Sequence, residues 1–426
     1  MDAIVACCAG LDVPQASVVA CLNRGGKRGA GKEIRSFGTT RSELAEMVAW
    51  LRDEGCTLVA MESTGIYWHP VYFALEGQFE LIVGNAQHIK NVPGRKTDVK
   101  DCAWISDLAR HGLIAKSFVP PQPIRELRDL TRYRRKLVQV QAGERNRLIK
   151  LLESATIKLS GLIADVFGVS GRAMLRALIE GEETPEAMAQ HARGRMRRKI
   201  KDLARALDGR LEEHHRFLMR LQFARIEAAE HDREQLDARL SEKLEPYAEP
   251  LRRLMRIPGV DWITAATIIA EIGTDMSAFA GAAQLASWTG ICPGNHQSGG
   301  KQRRGKIRKG NVHLKAALVT GAIAVAKTRG SYLAEKGRRL RARRGEMRAH
   351  VAIAHKILIA AYHVLSGNEY QDLGADYLDH LNKKRTVNQM TRRLEALGFN
   401  VQITPKAACE AANMHQARSP PNLFSW

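Results

Sequence analysis

The first hundred residues alternate short apolar runs with amphipathic segments, and the runs have the length of strands. IVACCAGLDV and ASVVACLN read as two strands, and CTLVAME and FELIVGN as two more. Between them RSELAEMVAWLRDE, with apolar positions three and four apart, and the segment around WHPVYFALEG read as helices. That alternation predicts an α/β domain built on a sheet. From Ile124 to about Leu159 the pattern changes to helical periodicity rich in charge, and from Arg193 to Leu244 a second long segment spaces Leu203, Leu207, Leu211, Leu218 and Leu221 three, four or seven apart. These predict two long helices in a coiled-coil-like arm, with short, glycine-broken helices between them. An arm of mixed charge needs a partner helix, so dimerisation is expected. Past Pro250, RLMRIPGVDWITAATIIAEIGT gives helix, Pro-Gly turn and helix. This is the layout of a helix-hairpin-helix element, whose backbone N–H groups can face a phosphate, although any αα-hairpin can turn on Pro-Gly. After about Lys406 the periodicity ends, and a flexible tail is expected.

Composition bounds the class. A chain of 426 residues with 45% hydrophobic residues has room for two or three domains. No stretch approaches the roughly 20 uninterrupted apolar residues that span a bilayer, and the start MDAIVACCAGLDV has no basic segment before its apolar run. A cytoplasmic protein without a membrane partner is expected. Cys7, Cys8, Cys21, Cys56, Cys102, Cys292 and Cys409 are an odd number without a C-x-x-C pair, which fits reduced thiols. The formal charge of +21 is unevenly spread: residues 1–100 hold eleven cations and eleven acids, whereas residues 301–350 hold sixteen cations and two acids. A block of that kind is the footprint of a polyanion, and no amphipathic stretch with a large aromatic or Leu face accompanies it to suggest a membrane surface. Nucleic acid is the expected partner.

Two constellations carry chemistry. The first lies at the head of the basic block, in CPGNHQSGGKQRRGKIRKGN, where Ser298 is followed by Gly299 and Gly300 and then by Lys301, Arg303, Arg304, Lys306, Arg308 and Lys309. Serine and glycine are ordinary loop residues and a basic run is usually solvated surface. A hydroxyl that attacks phosphorus, however, needs a backbone that can approach the phosphate and fixed cations around the transition state. His296 is a candidate base for that serine. The second constellation is acidic. Asp12 ends the first apolar run, Glu62 ends CTLVAME, and Asp98 and Asp101 stand three apart at the start of a helical segment. Four converging carboxylates would require a divalent cation, with hard oxygen ligands suiting magnesium or manganese. Each also has a plain reading, Asp12 as a turn residue and Asp98 as a helix cap.

GLDVPQ, AMESTGIYW, NAQHIKNVPGRKTDVKDCAWISDLARHG and ASWTGICPGNHQSGGKQRRGKIRKGN, in this order, resemble the DEDD transposases of insertion-sequence family one-ten, the bridge-RNA-guided recombinases. The resemblance runs from Gly10 to about Gly367. It implies an α/β RNase H-like (RuvC-like) N-terminal domain over 1–122 whose acids are Asp12, Glu62, Asp98 and Asp101. It implies further a mainly α transposase domain with a serine nucleophile at Ser298 over 251–370. The helical arm read from the periodicity spans 123–250 between the two domains, and 371–426 is left as a C-terminal extension, partly flexible; no motif of the family matches about 160–250 or the chain after 370. The resemblance also implies Mg2+ or Mn2+ at the acids, donor and target DNA and a guide RNA as partners, a homodimer or homotetramer, and a bacterial cytoplasmic, nucleoid-associated setting. Two other readings fit the residues: a metal-dependent nuclease or Holliday-junction resolvase acting through water, and a non-catalytic nucleic-acid-binding protein whose acids are caps.

Overall fold

A computed structural model describes residues 3–25, 31–63, 65–86, 89, 101–292, 297–302, 307–381 and 383–404, with the backbone alone at 297, 298, 301 and 302. Among these residues the chain divides into two compact units, Met1–Ala248 with Ala266–Gly281, and Glu249–Ala265 with Ala282–Trp426.

The first unit opens with a five-stranded mixed sheet in the order β3-β2-β1-β4-β5, made of β1 (Cys8–Asp12), β2 (Ser17–Asn23), β3 (Lys32–Gly38), β4 (Leu58–Glu62) and β5 (Glu80–Gly84). β1 runs antiparallel to β2 and parallel to β4, β2 antiparallel to β3, and β4 parallel to β5. The period-2 pattern explains its two buried faces. Ala9, Leu11, Val59 and Met61 join Met47 and Leu51 of helix α1 (Arg41–Asp53) and Val71 and Leu75 of α2 (Trp68–Leu75) in one cluster. Cys8, Leu58 and Ala60 join Ile105, Leu108 and Ala109 of α3 (Asp101–Arg110) on the other face. The strand β3 was not in the predicted set. Its sequence KEIRSFG is half-buried or exposed throughout, as befits an edge strand guarded by charge.

The arm is an antiparallel hairpin within the one chain. Its helices are α4 (Gln122–Ser154) and α9 (Glu213–Leu244), held in register by Glu126–Lys243, Arg134–Asp237, Arg145–Glu230 and Glu144–Arg225. The partner helix is thus supplied in cis, and the arm by itself does not call for a second copy. Between them α5 (Leu159–Leu162), α6 (Val169–Glu180), α7 (Pro185–Ala189) and α8 (Ile200–Leu207) form a knob with its own core. The expected continuous helix from Arg193 to Leu244 is broken. Residues Gly194–Lys199 form a 3-10 turn, and the chain bends at Gly209, where a Cβ would lie 2.5 Å from the Ala155 carbonyl oxygen. Leu203 and Leu207 belong to the knob's core with Leu211 against it, while Leu221 is exposed; Met219, Phe223, Ile226, Ala229, Leu240 and Leu244 are the buried positions of α9.

The second unit takes in α10 (Ala248–Met255) from Glu249 and the first turn of α11 (Trp262–Ile272), whose remainder belongs to the first unit; α12 (Ala282–Thr289) then precedes a small hairpin, β6 (Gln297–Ser298) with β7 (Lys301–Gln302). Helices α13 (Val312–Val325), α14 (Tyr332–Arg344) and α15 (Glu346–Leu365) follow, and α13 and α15 pack together through Leu314, Leu318, Ile353 and Ile357. The short helices α16 (Tyr377–Leu381) and α17 (Lys383–Glu395) bury no residue, and the expected flexible tail beyond Lys406 lies outside the described residues. No described helix is long and apolar enough to cross a membrane.

Candidate active site

Asp12 and Glu62 are the last residues of the neighbouring parallel strands β1 and β4, whose register pairs Leu11 with Met61 and so brings both carboxyl-bearing residues to the same end of the sheet. Asp101 is the first residue of α3, where an acid also suits the helix macrodipole. What brings α3 onto the sheet is Gly10. A Cβ there would stand 2.2 Å from the Cys102 carbonyl oxygen and 2.3 Å from the Ser106 amide nitrogen, so the helix backbone rests directly on β1 only because the residue has no side chain. Polar anchors fix the helix along its length: Asn23 Nδ2 donates to Ser106 Oγ at 3.4 Å and to Asp107 Oδ1 at 3.0 Å, and Lys32 pairs with Asp107 at 2.6 Å. Asp12 lies near enough to raise the pKa of the Cys102 thiol, behind the larger effects of its bond to Cys21 and of burial. Three of the four predicted acids therefore share one end of one sheet.

Asp98 lies outside the described residues, as does His296. Carboxylate oxygens are the donors magnesium and manganese take, so the donor chemistry fits a divalent ion. Among the described residues no three His, Cys, Asp or Glu side chains stand close enough together to hold one. Burial pushes the Cys8 thiol up to about 11 and that of Cys56 up to about 12, which makes both inert core residues. All six described cysteines are free thiols.

Ser298 occupies a different setting, in the second unit. Its backbone pairs with Lys301 across the hairpin, and Gly299 and Gly300, with φ of 58° and 74°, form the two-residue turn. Positive φ at both positions is what such a turn requires, so the glycines shape a tight tip rather than a loose loop. The loop is closed at its base. At Gly290 a Cβ would meet the Arg308 carbonyl oxygen at 2.7 Å and at Gly310 the Thr289 carbonyl oxygen at 2.4 Å, so two backbones cross where neither tolerates a side chain. Beyond the neck Asn311 caps α13, its Oδ1 accepting from the amides of His313 and Leu314 at 3.0 Å each. Arg308 and Lys309 are exposed beside the neck. The side chains of Ser298 and Lys301, and Arg303, Arg304 and Lys306 altogether, lie outside the described residues.

Sequence reasoning overlooked Gly10 and the glycine pair 290 and 310. A glycine inside an apolar strand run, as in CCAGLD, is the signal that another backbone approaches closely; the Gly290–Gly310 crossing has no such local signature.

Residues 9–157 match the DEDD family of IS110 transposases, described as "Transposase", and residues 251–337 match the "Transposase IS116/IS110/IS902 family". The first match ends just past α4, and the second begins in α10 and carries the serine hairpin. Among curated proteins the chain is similar to the transposase for insertion sequence element IS1111A of Coxiella burnetii, 28% identical over 355 residues, 81% of this chain and 86% of that protein. It is also similar to a probable family 20 transposase of Pseudomonas aeruginosa, 29% identical over 279 residues, 63% of this chain and 71% of that protein. With both family matches in their expected order on the two halves of the chain, and relatives named transposases along most of its length, the chain belongs to the IS110 family of DNA transposases.

Proposed function

We propose that this transposase cuts and rejoins DNA through a covalent phosphoserine formed at Ser298, with the acids of a RuvC-like domain holding a divalent metal and a non-coding bridge RNA choosing the strands. The observation that carries the reading is the placement of Ser298 beside the tip of a hairpin whose two-residue turn is all glycine and whose neck is pinned between Gly290 and Gly310. A phosphate can approach such a tip without meeting side chains of the turn, and Arg308 and Lys309 stand at its foot. In the forward step the serine Oγ bonds to phosphorus, the P–O bond to one deoxyribose breaks, and the serine proton passes to the departing oxygen. The reverse step with a different deoxyribose hydroxyl reseals a new junction and returns the serine, so no external energy source is consumed. Cations of the basic block neutralise charge on the five-coordinate phosphorus. A magnesium or manganese ion held by Asp12, Glu62, Asp98 and Asp101 would supply Lewis acidity toward a phosphodiester oxygen. Those carboxylates would hold such an ion; β1, β4 and α3 carry three of them.

In this reading residues 1–122 form the acid-bearing domain, 123–250 the arm, 251–370 the serine-bearing domain with a helix-hairpin-helix around Pro258, and 371–426 an extension. The close packing of that turn supports the element: a Cβ on Gly259 would lie 2.3 Å from the Gly321 carbonyl oxygen of α13. The protein works as a homodimer or homotetramer in the bacterial cytoplasm. Bridge-RNA guidance rests on the resemblance of the motifs, since guide pairing leaves no readout residues in the chain.

The test is a denaturing gel of protein with end-labelled donor DNA. A protein–DNA adduct that disappears in Ser298→Ala, while DNA binding persists, is the expected result. Free nicked DNA without an adduct would favour the hydrolytic junction resolvase instead, and an adduct that survives in the Ser298→Ala variant would remove the serine from the mechanism.

A further inference from the structure

Arginines are abundant in both units, but they are used differently. Along the arm they are neutralised internally, as in Arg134–Asp237, Arg145–Glu230, Arg172–Glu230 and Arg176–Glu227. Around the turn from α14 to α15, Arg341, Arg343, Arg344 and Arg348 are all exposed and make no ion pair among the described residues, and neither does Arg329 in the loop before α14. Two of these cations, Arg329 and Arg341, line a cavity of about 240 Å3 between the end of α13, α14 and the start of α15. Its walls are apolar: Val325, Leu333, Ala349 and Ile353, each nearly fully buried. Gly337 on α14 leaves it open, since a Cβ there would already stand 3.3 Å from Ile353 Cγ1 and a longer side chain would project among the lining residues. Polar groups also enter the lining: Thr328, Ser331, the Glu335 carboxylate held by Arg338 and Arg339, and, deep in the fold, the imidazole of His350, which is 9% exposed. Its Nε2 is 4.0 Å from Glu346 Oε1, beyond hydrogen-bond distance.

We propose that this cavity receives one unstacked base of a single-stranded nucleic acid, with Arg329 and Arg341 holding the phosphates on either side of it. The inference rests on the reading of the basic block as a nucleic-acid surface and adds a discrete subsite to it. Three features select the ligand. The volume is below the roughly 300–1,000 Å3 of pockets for drug-sized molecules and suits one flat ring system rather than a stacked pair. The walls offer apolar contact to a ring, and the His350 imidazole among the polar lining groups can hydrogen-bond to its edge. Arg329 and Arg341 in the lining, which pair with no carboxylate among the described residues, unlike Arg338 on Glu335, match the phosphates that any such base carries with it. A duplex cannot use the cavity while its bases remain paired, so the site discriminates strands by pairing state. Single-stranded RNA and a displaced DNA strand share this chemistry.

The experiment measures affinity of the full chain for a short DNA strand, the RNA strand of the same sequence, each carrying one 2-aminopurine, and the DNA duplex, across a salt series. Ala326→Trp, at an exposed position of the lining, adds bulk to the cavity while leaving Arg329 and Arg341 in the chain. It is expected to weaken single-strand binding by about tenfold, the size of one lost base contact, with duplex affinity and salt slope unchanged. The 2-aminopurine signal of the bound strand should change with it. Arg329→Ala with Arg341→Ala should instead lower the single-strand salt slope by about 1.4. Whichever strand, RNA or DNA, loses affinity on filling is the occupant. Should Ala326→Trp melt below the parent protein, Ala375→Trp on another part of the rim carries the same readout. Filled variants that melt like the parent and bind both single strands as it does overturn the subsite while leaving the basic block as a nucleic-acid surface. A parent chain that binds no single strand overturns the subsite, and one that binds no nucleic acid at all overturns the surface reading too.

Discussion

Gly10 shows how one missing side chain places a candidate acid. The residue lies in the middle of β1, two positions before Asp12, and its bare Cα lets the first turn of α3 settle onto the sheet, which carries Asp101 toward Asp12. In Gly10→Ala the added methyl would sit 2.2 Å from one backbone atom and 2.3 Å from another, and backbone cannot swing aside as a flexible side chain can. The helix must lift. Overpacking of this kind costs about 1–3 kcal/mol, and the displacement of Asp101 should lower strand transfer much further than that loss of stability alone. Gly161 makes the control. It has an ordinary φ and nothing within 4 Å of a built Cβ, so Gly161→Ala should leave both the melting temperature and the transposition assay unchanged. Equal behaviour of the two variants would show that the approach of α3 to β1 is not what positions the acid.

At the scale of elements, the polar node at Glu230 fixes how α9 lies against α4 and the knob. Glu230 Oε1 accepts from Gln141 Nε2 at 2.6 Å, from Arg145 Nη2 at 2.8 Å and from Arg172. Burial pushes this carboxyl's pKa up, but the guanidinium bonds of Arg172 and Arg145 outweigh it and hold the group below its ordinary 4.5. A depressed carboxylate pKa contributes stability that is complete above the unfolded value and is lost as pH falls through the folded one. The share of stability that Glu230 contributes to thermal melts should therefore be constant from neutral pH down to about 4.5 and decline below it. Glu230→Gln should lose about 2 kcal/mol at neutral pH and show a shallower acid decline; an unchanged acid limb would assign the decline to other carboxylates. This node, like most of the arm's register, was not legible in the sequence, because leucine spacing suggested a different seam. Leu203, Leu207 and Leu211 continue the heptad of Leu218 on paper, yet Gly209 turns the chain between them, and burial falls on Met219, Phe223 and Ile226 instead. Helical periodicity does not see a bend whose cause is a contact with Ala155, far away in sequence. The sheet was easier to read, because β1, β4 and β5 are apolar runs that declare their burial. Only β3 escaped, since an edge strand is stabilised by pairing with β2 and carries charges where a buried strand carries valines. The acids at strand ends were legible for the same reason as the strands; the tight tip beside Ser298 was visible as Gly-Gly but its pinned neck was not.

Across the whole molecule the net charge of +21 is less informative than which cations are already spoken for. Arg338 gives two bonds to Glu335 at 2.9 and 2.8 Å, and Arg339 bonds Glu335 at 2.7 Å and Asp379 at 2.7 Å. Arg343 and Arg344, one turn further along α14, are exposed and unpaired among the described residues. Arginines already held by carboxylates release no counterions when a polyanion binds, whereas free ones do, by a slope of about 0.9 per phosphate neutralised on duplex DNA and about 0.7 on single strands. Arg343→Ala with Arg344→Ala should thus lower the salt slope by up to about 1.8 on duplex, equally for every sequence, with the melting temperature unchanged. Arg338→Ala with Arg339→Ala should do the reverse, leaving the slope close to that of the parent and lowering the melting temperature through the lost Glu335 and Asp379 contacts. A third variant lacking Arg303, Arg304 and Lys306 tests the other end of the block near Ser298. If RNA titrations respond to the pair on α14 and DNA titrations to the triple near the serine, the block serves two partners. A common response of both nucleic acids to both variants would mean that one continuous surface serves whichever strand arrives. A slope that falls for the paired arginines and not for the free ones would refute the sorting altogether.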